Sequence, residues 1–452
     1  MNKQLKLGAI AASVALLSLA AARHRAVMPP SAPIITGPTF DKEIVRIFQQ
    51  NCQTSHHPGD IAPFSLMTYA DAKAHAIDIK LNTAARIMPP WKPVGSCGVF
   101  TNPRVLSSAD IATIGQWVSN GAPEGNAADL PQPLDFSSGW VLGEPDLKFG
   151  NTKPFTPPAD RDEYRCYSMP TNVTSDSYIS AIDVHPGDRT TVHHVIAFID
   201  TTGESAKLDT DGNGYQCFGG PGFAITNLAS SALGGWAPGT RPEKLPDDVG
   251  FLLPASSRIV LQVHYHPHDP NPKPDQTEIG LYVMKNKPAK TMIMLPLVNQ
   301  TFTIPPNDSN YKVTAAFTNT LFPVHVWFVA PHMHLLGRRM SVDATLGTDT
   351  TCLININDWD FNWQGMYRYK DPIAIPVSTH LSLNAFYDNS SDNIRNPNAP
   401  PKAVSWGEAT TDEMCIAFLG VTLDGATVTS TSTVESLGFV GGADAPVRPA
   451  AR

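Results

Sequence analysis

Charge is scarce in this chain: of 452 residues, only 16% are Asp, Glu, Lys or Arg, against about 25% in an average soluble protein. There is no run of Lys or Arg, and the formal net charge is −8. That excludes the basic footprint of a nucleic-acid binder. Cysteines number only six, too few for a disulfide-rich miniature scaffold, so each needs its own account. Beyond the first residues no apolar run is long enough to span a bilayer, for which about 20 residues are typical. The GGPG at 219–222 lacks a strand–Gly–helix context and is no phosphate cradle. No nucleotide fingerprint and no Ser-His-Asp elbow occur. What is abundant is proline, 41 residues or about 9%, against about 5% expected. With a hydrophobic fraction of 42%, this is a globular chain built of strands, turns and loops rather than long surface helices.

The length predicts two to four domains, at roughly 100–200 residues each. Lys3 and Lys6 precede an apolar run, Leu7 to Ala22, that ends in three alanines. Residues 1–22 read as a secretory signal peptide, leaving no membrane span in the mature chain and a periplasmic or secreted protein able to keep disulfides. Residues 23–37 are a Pro/Ala-rich linker. In FDKEIVRIFQQ from Phe40, residues Ile44, Ile47 and Phe48 share a helical face, and Asp41 and Glu43 suit the N-terminus. A second helix follows Leu106, capped by Ser107 or Ser108, with Ile111, Ile114, Trp117 and Val118 inward and Gly121 as its stop. Residues 38–125 therefore form a small, mainly helical domain, and 126–150 a Pro/Gly linker.

From Phe155 short alternating runs recur, among them VHHVIAFID, RIVLQVHYHP, VHVWFVAPHMH and HLSLNAFYD, divided by Gly, Pro, Asn and Asp. They predict an all-β sandwich or jelly roll. The stretch is long for one sandwich, so two are expected, at 151–290 and 291–425. Residues 426–452 read as a disordered tail.

Cys52-Gln53-Thr54-Ser55-His56 follows the first helix. A haem c motif is C-x-x-C-H, with two thioethers and a His ligand. Here Ser55 holds the second Cys position, so only a single thioether through Cys52 is open, with His56 as proximal ligand. Met88, in a Met-Pro loop, suits the second axial position. This order resembles a class I cytochrome c over residues 38–125, which implies haem c. The alternative is a helical domain without haem, its Cys52 bonded to Cys97.

His332 and His334 are two apart, so on a strand both project to one face. Met414 would complete a His-His-Met set, and its soft thioether favours Cu(I). His193 and His194 are adjacent, and binding one metal with both requires a bulge or a strand end. His264 could complete an all-imidazole site suited to both copper oxidation states. Gln262, two before His264 on the same strand face, is an electron-transfer candidate.

VHHVIAF, LQVHYHP, APHMHLLGRRM and TTDEMCIAF, in this order, resemble the copper type II, ascorbate-dependent monooxygenases. The resemblance implies two jelly-roll domains, each with one copper, facing across a solvent-filled cleft. It implies that His193, His194 and His264 hold the electron-transfer copper. It further implies that His332, His334 and Met414 hold the copper where O2 is used to hydroxylate a C–H bond of a small organic substrate, with an ascorbate-like or protein reductant. The peptide-amidating members carry polar anchors where this chain has Ala330, Ile416 and Phe418, so peptidylglycine is not the expected substrate. A cytochrome-like domain ahead of the copper domains resembles the bacterial exported type. The same ligands without O2 chemistry would make a non-catalytic copper or electron-transfer protein.

Three disulfides within domains would use all six cysteines: Cys52 with Cys97, Cys166 with Cys217, and Cys352 with Cys415. The first would take Cys52 from haem. Asp209 to Gly214 resembles the start of a calcium loop but lacks its closing acid and reads as a turn. His266 and His268 read as exposed, and His185, His325 and His380 show no ligand pattern.

Overall fold

A computed structural model describes residues 36–425 except 59, 61, 96, 137–138, 226–231, 238–239, 267–269 and 321. The expected signal peptide, most of the 23–37 linker, His268 and the 426–452 tail lie outside the described residues.

The helical segment forms around Phe40, Ile44, Phe48, Ile114 and Trp117, all buried. A π-helical turn at Phe40–Ile44 runs into α1 (Val45–Asn51). Two helices absent from the sequence reading follow, α2 (Tyr69–Ala74) and α3 (Ala76–Ala84). Their short, Ala-rich sequences bury little, so their periodicity is weak. The last is α4 (Ser108–Ser119). Ser107 caps it by accepting the Asp110 N–H at 3.0 Å, and Gly121, at φ +85°, ends it.

The strands β1 (Leu147–Gly150), β2 (Glu163–Pro170), β3 (Ser177–His185), β4 (Val192–Asp200), β5 (Tyr215–Gln216), β6 (Ala232–Trp236), β7 (Val249–Leu253), β8 (Arg258–Tyr265) and β9 (Glu278–Val283) build a first unit. A second comprises β10 (Lys290–Asn299), β11 (Thr303–Ile304), β12 (Tyr311–Thr318), β13 (Val324–His332), β14 (Gly337–Leu346), β15 (Asp349–Ile356), β16 (Tyr367–Ile375), β17 (His380–Tyr387), β18 (Val404–Ser405) and β19 (Cys415–Leu423). Each unit has two layers, but they are not separate. One eight-stranded sheet, ordered β1-β9-β3-β7-β10-β19-β13-β16, runs through both. The joint is a parallel pairing of β7 with β10. The sheet β5-β2-β8-β4-β6 covers one half, and β12-β17-β14-β15 covers the other. Alternation decides the faces: on β17, Leu381, Leu383, Ala385 and Tyr387 are buried and their neighbours are not.

Residues 91–102 leave the helical segment and dock on the second sandwich. Pro93 bridges Ile356, Phe100 bridges Tyr369, and Lys92 reaches Asp358 at 2.9 Å. A disulfide joins Cys97 to Cys352 across 255 residues. The expected Cys352–Cys415 pair is therefore wrong, as is Cys52–Cys97. Cys352 sits on the edge strand β15, beside the incoming segment, whereas Cys415 is fully buried inside the shared sheet. Cys52 and Cys415 are free thiols. Cys166–Cys217 forms as expected. Because its loop is long, the Cys97 disulfide restricts the unfolded chain strongly. Cys97→Ser is expected to lower unfolding free energy by about 2–5 kcal/mol, measured by urea denaturation. An unchanged midpoint would mean that the non-covalent contacts of residues 91–102 suffice.

Candidate metal centre

Strand β8 runs through the middle of the five-stranded sheet. Ile259, Leu261, Val263 and Tyr265 face the core of the first sandwich, and by alternation Val260, Gln262 and His264 face outward. On β4 the register with β8 shifts between Val192 and His194. That bulge lets two successive histidines address one point, as the sequence requires. His194 Nδ1 lies 3.2 Å from His193 Nδ1 and 3.3 Å from His264 Nδ1. One ring nitrogen of each of the three falls within 4.8 Å of the others.

The second set lies at the end of β13. Phe328 to His332 pair with β19 in a register that sets His332 opposite Ile416. His334 lies just beyond the strand, and its N–H and that of Met414 both donate to the Glu413 carboxylate. The His332 and His334 rings are 5.0 Å apart. His332 Nδ1–H donates to the Gln364 amide oxygen, and His334 Nδ1–H donates to the Asp412 carbonyl at 3.1 Å. Both bonds leave Nε2 as the available ligand atom.

The two sets are not parted by a solvent-filled cleft, contrary to expectation. The His194 and His332 rings are 6.4 Å apart. Phe361 lies between, stacked on His193 at 4.5 Å and edge-on to His334 at 5.7 Å. The shared sheet and the docked 91–102 segment explain the closeness, since both hold the sandwiches together.

Several partners were invisible in the sequence. The Asp162 carboxylate lies 3.5 Å from His264 Nε2 and 2.6 Å from His266 Nδ1. His266 is therefore half-buried and engaged, not exposed. Burial alone would raise the Asp162 carboxyl, but the two imidazoles overcome it and hold it well below the usual range. Tyr164 stacks on the His264 ring at 4.1 Å. Glu413 is wholly buried and accepts the N–H groups of His334 at 2.9 Å, Leu336 at 2.6 Å and Met414 at 3.2 Å. Only its place beside Met414 could have drawn notice. Gln262 spends its amide on the Cys217 carbonyl at 3.0 Å, fastening a loop over the sheet. Asp209 accepts the Ser168 and Gly214 N–H groups and closes a turn. His325 pairs with Asp424, and His185 with Asp183.

Burial first, then neighbouring imidazoles, push His193, His194 and His334 well below the ordinary histidine value. Burial brings His332 down to about 4 and lowers His264 against the pull of Asp162. The imidazoles are thus neutral at neutral pH, with lone pairs free for a metal. Because these folded values lie below the unfolded one, the stability at stake is whole above pH 6.5 and is lost as pH falls from there. His332 alone accounts for about 2 kcal/mol by pH 5. Metal-free protein should unfold at lower denaturant at pH 5 than at pH 7.5, and equal midpoints would count against this.

Three convergent imidazoles, two buried and that of His194 half-buried, suit copper in either oxidation state, and two imidazoles with a thioether suit Cu(I). In the helical segment, His56 Nδ1–H donates to the Phe64 carbonyl at 3.0 Å, leaving Nε2 available. The His56 N–H meets the Cys52 carbonyl at 2.9 Å, so both residues belong to one turn. Met88 is half-buried in a loop after α3.

The two sandwiches on one sheet thus carry two candidate ligand sets, all-imidazole on one and imidazole–thioether on the other, of the kind that suits redox-active metals. The profile of the copper type II ascorbate-dependent monooxygenase N-terminal domain matches residues 150–272, and that of the C-terminal domain matches residues 287–422. The chain belongs to this family. It is 26% identical over 295 residues to DBH-like monooxygenase protein 2 of Mus musculus, covering 60% of this chain and 45% of that protein. It is 27% identical over 272 residues to peptidylglycine alpha-amidating monooxygenase of Rattus norvegicus, covering 59% and 26%. The chain thus spans less than half the length of either relative. A solved structure of PNGF-II matches at 10% identity and a TM-score of 0.28, covering 65% of this chain and 71% of that one. That likeness carries no weight.

Proposed function

We propose that the chain is an exported copper monooxygenase that hydroxylates a C–H bond of a small organic substrate. The observation that carries this is the meeting of an all-imidazole set with a softer imidazole–thioether set, the His194 and His332 rings 6.4 Å apart. His193, His194 and His264 would hold one copper, and His332, His334 and Met414 the other. When bound, the coppers supply one-electron redox chemistry and O2 activation. The protein's part is to fix the ligands: Asp162 and Tyr164 orient His264, Gln364 orients His332, and Glu413 ties His334 to Met414. Ala330 opposes Phe418, and His332 opposes Ile416, on paired strands. Apolar groups there would leave a substrate carboxylate without partners, which is costly when buried. This supports a substrate other than peptidylglycine. The two disulfides fit an oxidising compartment, and among the described residues no helix is long and apolar enough to cross a membrane.

Electrons would enter from an ascorbate-like or protein donor, through the helical segment where haem is attached. Arg189 Nη1 meets Asp60 Oδ2 at 2.8 Å, docking the Cys52–His56 turn four residues upstream of His193. A bacterial-type, single-thioether haem c on Cys52, with His56 and Met88 as axial ligands, is the corresponding reading of that segment.

Metal analysis of the purified chain should give two coppers, and fewer than one would reject the proposal. O2 uptake with a reductant should appear with a member of a panel of small organic substrates and not with a glycine-extended peptide. Two bound coppers with no uptake would mark an electron-transfer protein instead. Thiol titration of denatured, unreduced protein should give one free thiol with haem on Cys52, and two without it.

A further inference from the structure

His264 has two ring nitrogens, and they face different groups. Its Nδ1 lies 3.3 Å from His194 Nδ1, in the all-imidazole set. Its Nε2, on the far side of the ring, lies 3.5 Å from Asp162 Oδ1, which in turn meets His266 Nδ1 at 2.6 Å. One oxygen of Asp162 and one ring nitrogen each of His264 and His266 fall within 4.8 Å of one another. His264 is only 1% exposed, yet its Nε2 makes no hydrogen bond among the described residues. A buried ring nitrogen without a partner is costly, and a cation at this point would supply one.

Several stretches of chain hold this group in place. Asp162 directly precedes β2 and His266 directly follows β8, at the end where Glu163 opposes Tyr265. His264 and His266, two residues apart, project to one side. The His266 N–H donates to the Thr191 carbonyl at 2.8 Å, and Asp162 Oδ2 accepts the Thr410 N–H at 3.2 Å. With Oδ2 so engaged, Oδ1 is the oxygen turned to both imidazoles. Tyr164, stacked at 4.1 Å, fixes the plane of the His264 ring. Asp162 and His266 are half-buried, so the group is partly open to solvent while its deepest member is dry.

We propose that Asp162 Oδ1, His264 Nε2 and His266 Nδ1 seat a divalent cation of the zinc type, in addition to the two proposed coppers. Mixed imidazole and carboxylate ligands suit Zn(II), with bonds of about 2.0–2.2 Å. Two such ligands at a tetrahedral angle stand about 3.3–3.5 Å apart. The 3.5 Å separation of Asp162 from His264 fits this, and the 2.6 Å contact with His266 would open as the cation replaces the hydrogen bond. His266 then carries its proton on Nε2. With copper at His264 Nδ1, the Nε2 proton leaves to solvent, and the imidazolate and the Asp162 carboxylate together cancel the charge of the cation. His264 thereby bridges the two metals. That bridge rests on the copper reading; the seat, with its own ligands, does not.

The test adds Zn(II), and Co(II) as its spectroscopic counterpart, to the full Cu(II)-loaded chain. One equivalent of Zn(II) should bind with a Kd of about 10 μM or below and displace no copper, read by calorimetry and metal analysis. Co(II) in the same seat should weaken the paramagnetic resonance signal of one copper, because an imidazolate couples the two spins. His266→Gln should weaken Zn(II) about tenfold or more, keep both coppers and leave that signal whole, with thermal melting as the check on its fold. If the variant is unstable, the Co(II) effect on the unaltered chain decides alone. Unaltered Zn(II) binding by His266→Gln, displacement of copper, bound Co(II) that leaves both copper signals whole, or no Zn(II) binding up to about 100 μM would each overturn the proposal. A chain that takes up no copper but binds Zn(II), and loses it in His266→Gln, would support the seat and remove the copper reading instead.

Discussion

Met414→Ile is expected to reduce reductant-driven O2 uptake by about 100-fold or more, while the protein keeps one copper instead of two. The substitution retains an apolar side chain of similar size, so packing changes little. What it removes is the only thioether of the second set. His332 and His334 would remain, each turned by its Nδ1 partner to offer Nε2, but two imidazoles hold a soft metal more weakly than two with sulfur. The all-imidazole set is untouched, because His193, His194 and His264 stand on β4 and β8, strands of the first sandwich, whereas Met414 directly precedes β19. The measurement is copper stoichiometry alongside O2 uptake. Wild-type uptake by the variant would remove Met414 from the ligand set, and loss of both coppers would show that the two sets do not fold independently.

Glu413→Ala should have the largest effect on stability. Three backbone N–H groups, from His334, Leu336 and Met414, donate to this one buried carboxyl. Burial pushes the carboxyl up to about 8 against those donors. Alanine would leave the three donors unpaired in a dry site, at about 1–3 kcal/mol each. A total loss of about 4 kcal/mol or more is expected in denaturant unfolding. The variant should also bind its second copper about 10–100-fold more weakly, since the same N–H groups fix the chain around His334 and Met414. Glu413→Gln, which keeps one acceptor oxygen, should recover part of both. An unfolding midpoint within error of wild type would show that water replaces the carboxyl.

Much of the candidate site was legible because short-range geometry encodes it. The two-residue spacing of His332 and His334 places both on one side. The adjacency of His193 and His194 demands an irregular strand, and β4 has the bulge between Val192 and His194. The alternating β texture likewise announced strands from Phe155 onward. The supports around the ligands were not legible. Asp162, Gln364 and Glu413 lie 102, 32 and 79 residues from the histidines they touch, and no local pattern records such a distance.

The cysteines show the same division. Cys166–Cys217 closes within one sandwich and was readable from proximity along the chain. Cys97–Cys352 was not, because residues 91–102 cross to a sheet edge formed more than 250 residues later. By itself the sequence determined the strand alternation, the bulge requirement, the chemistry of the six candidate ligands and their low-charge, proline-rich setting. These follow from side-chain type and spacing alone. Only the tertiary structure decided that the two sandwiches share one sheet and that their ligand sets abut through His194 and His332. It also decided which cysteines pair. Each of these depends on which distant segments pack together, a choice made by burial and pairing over the whole chain.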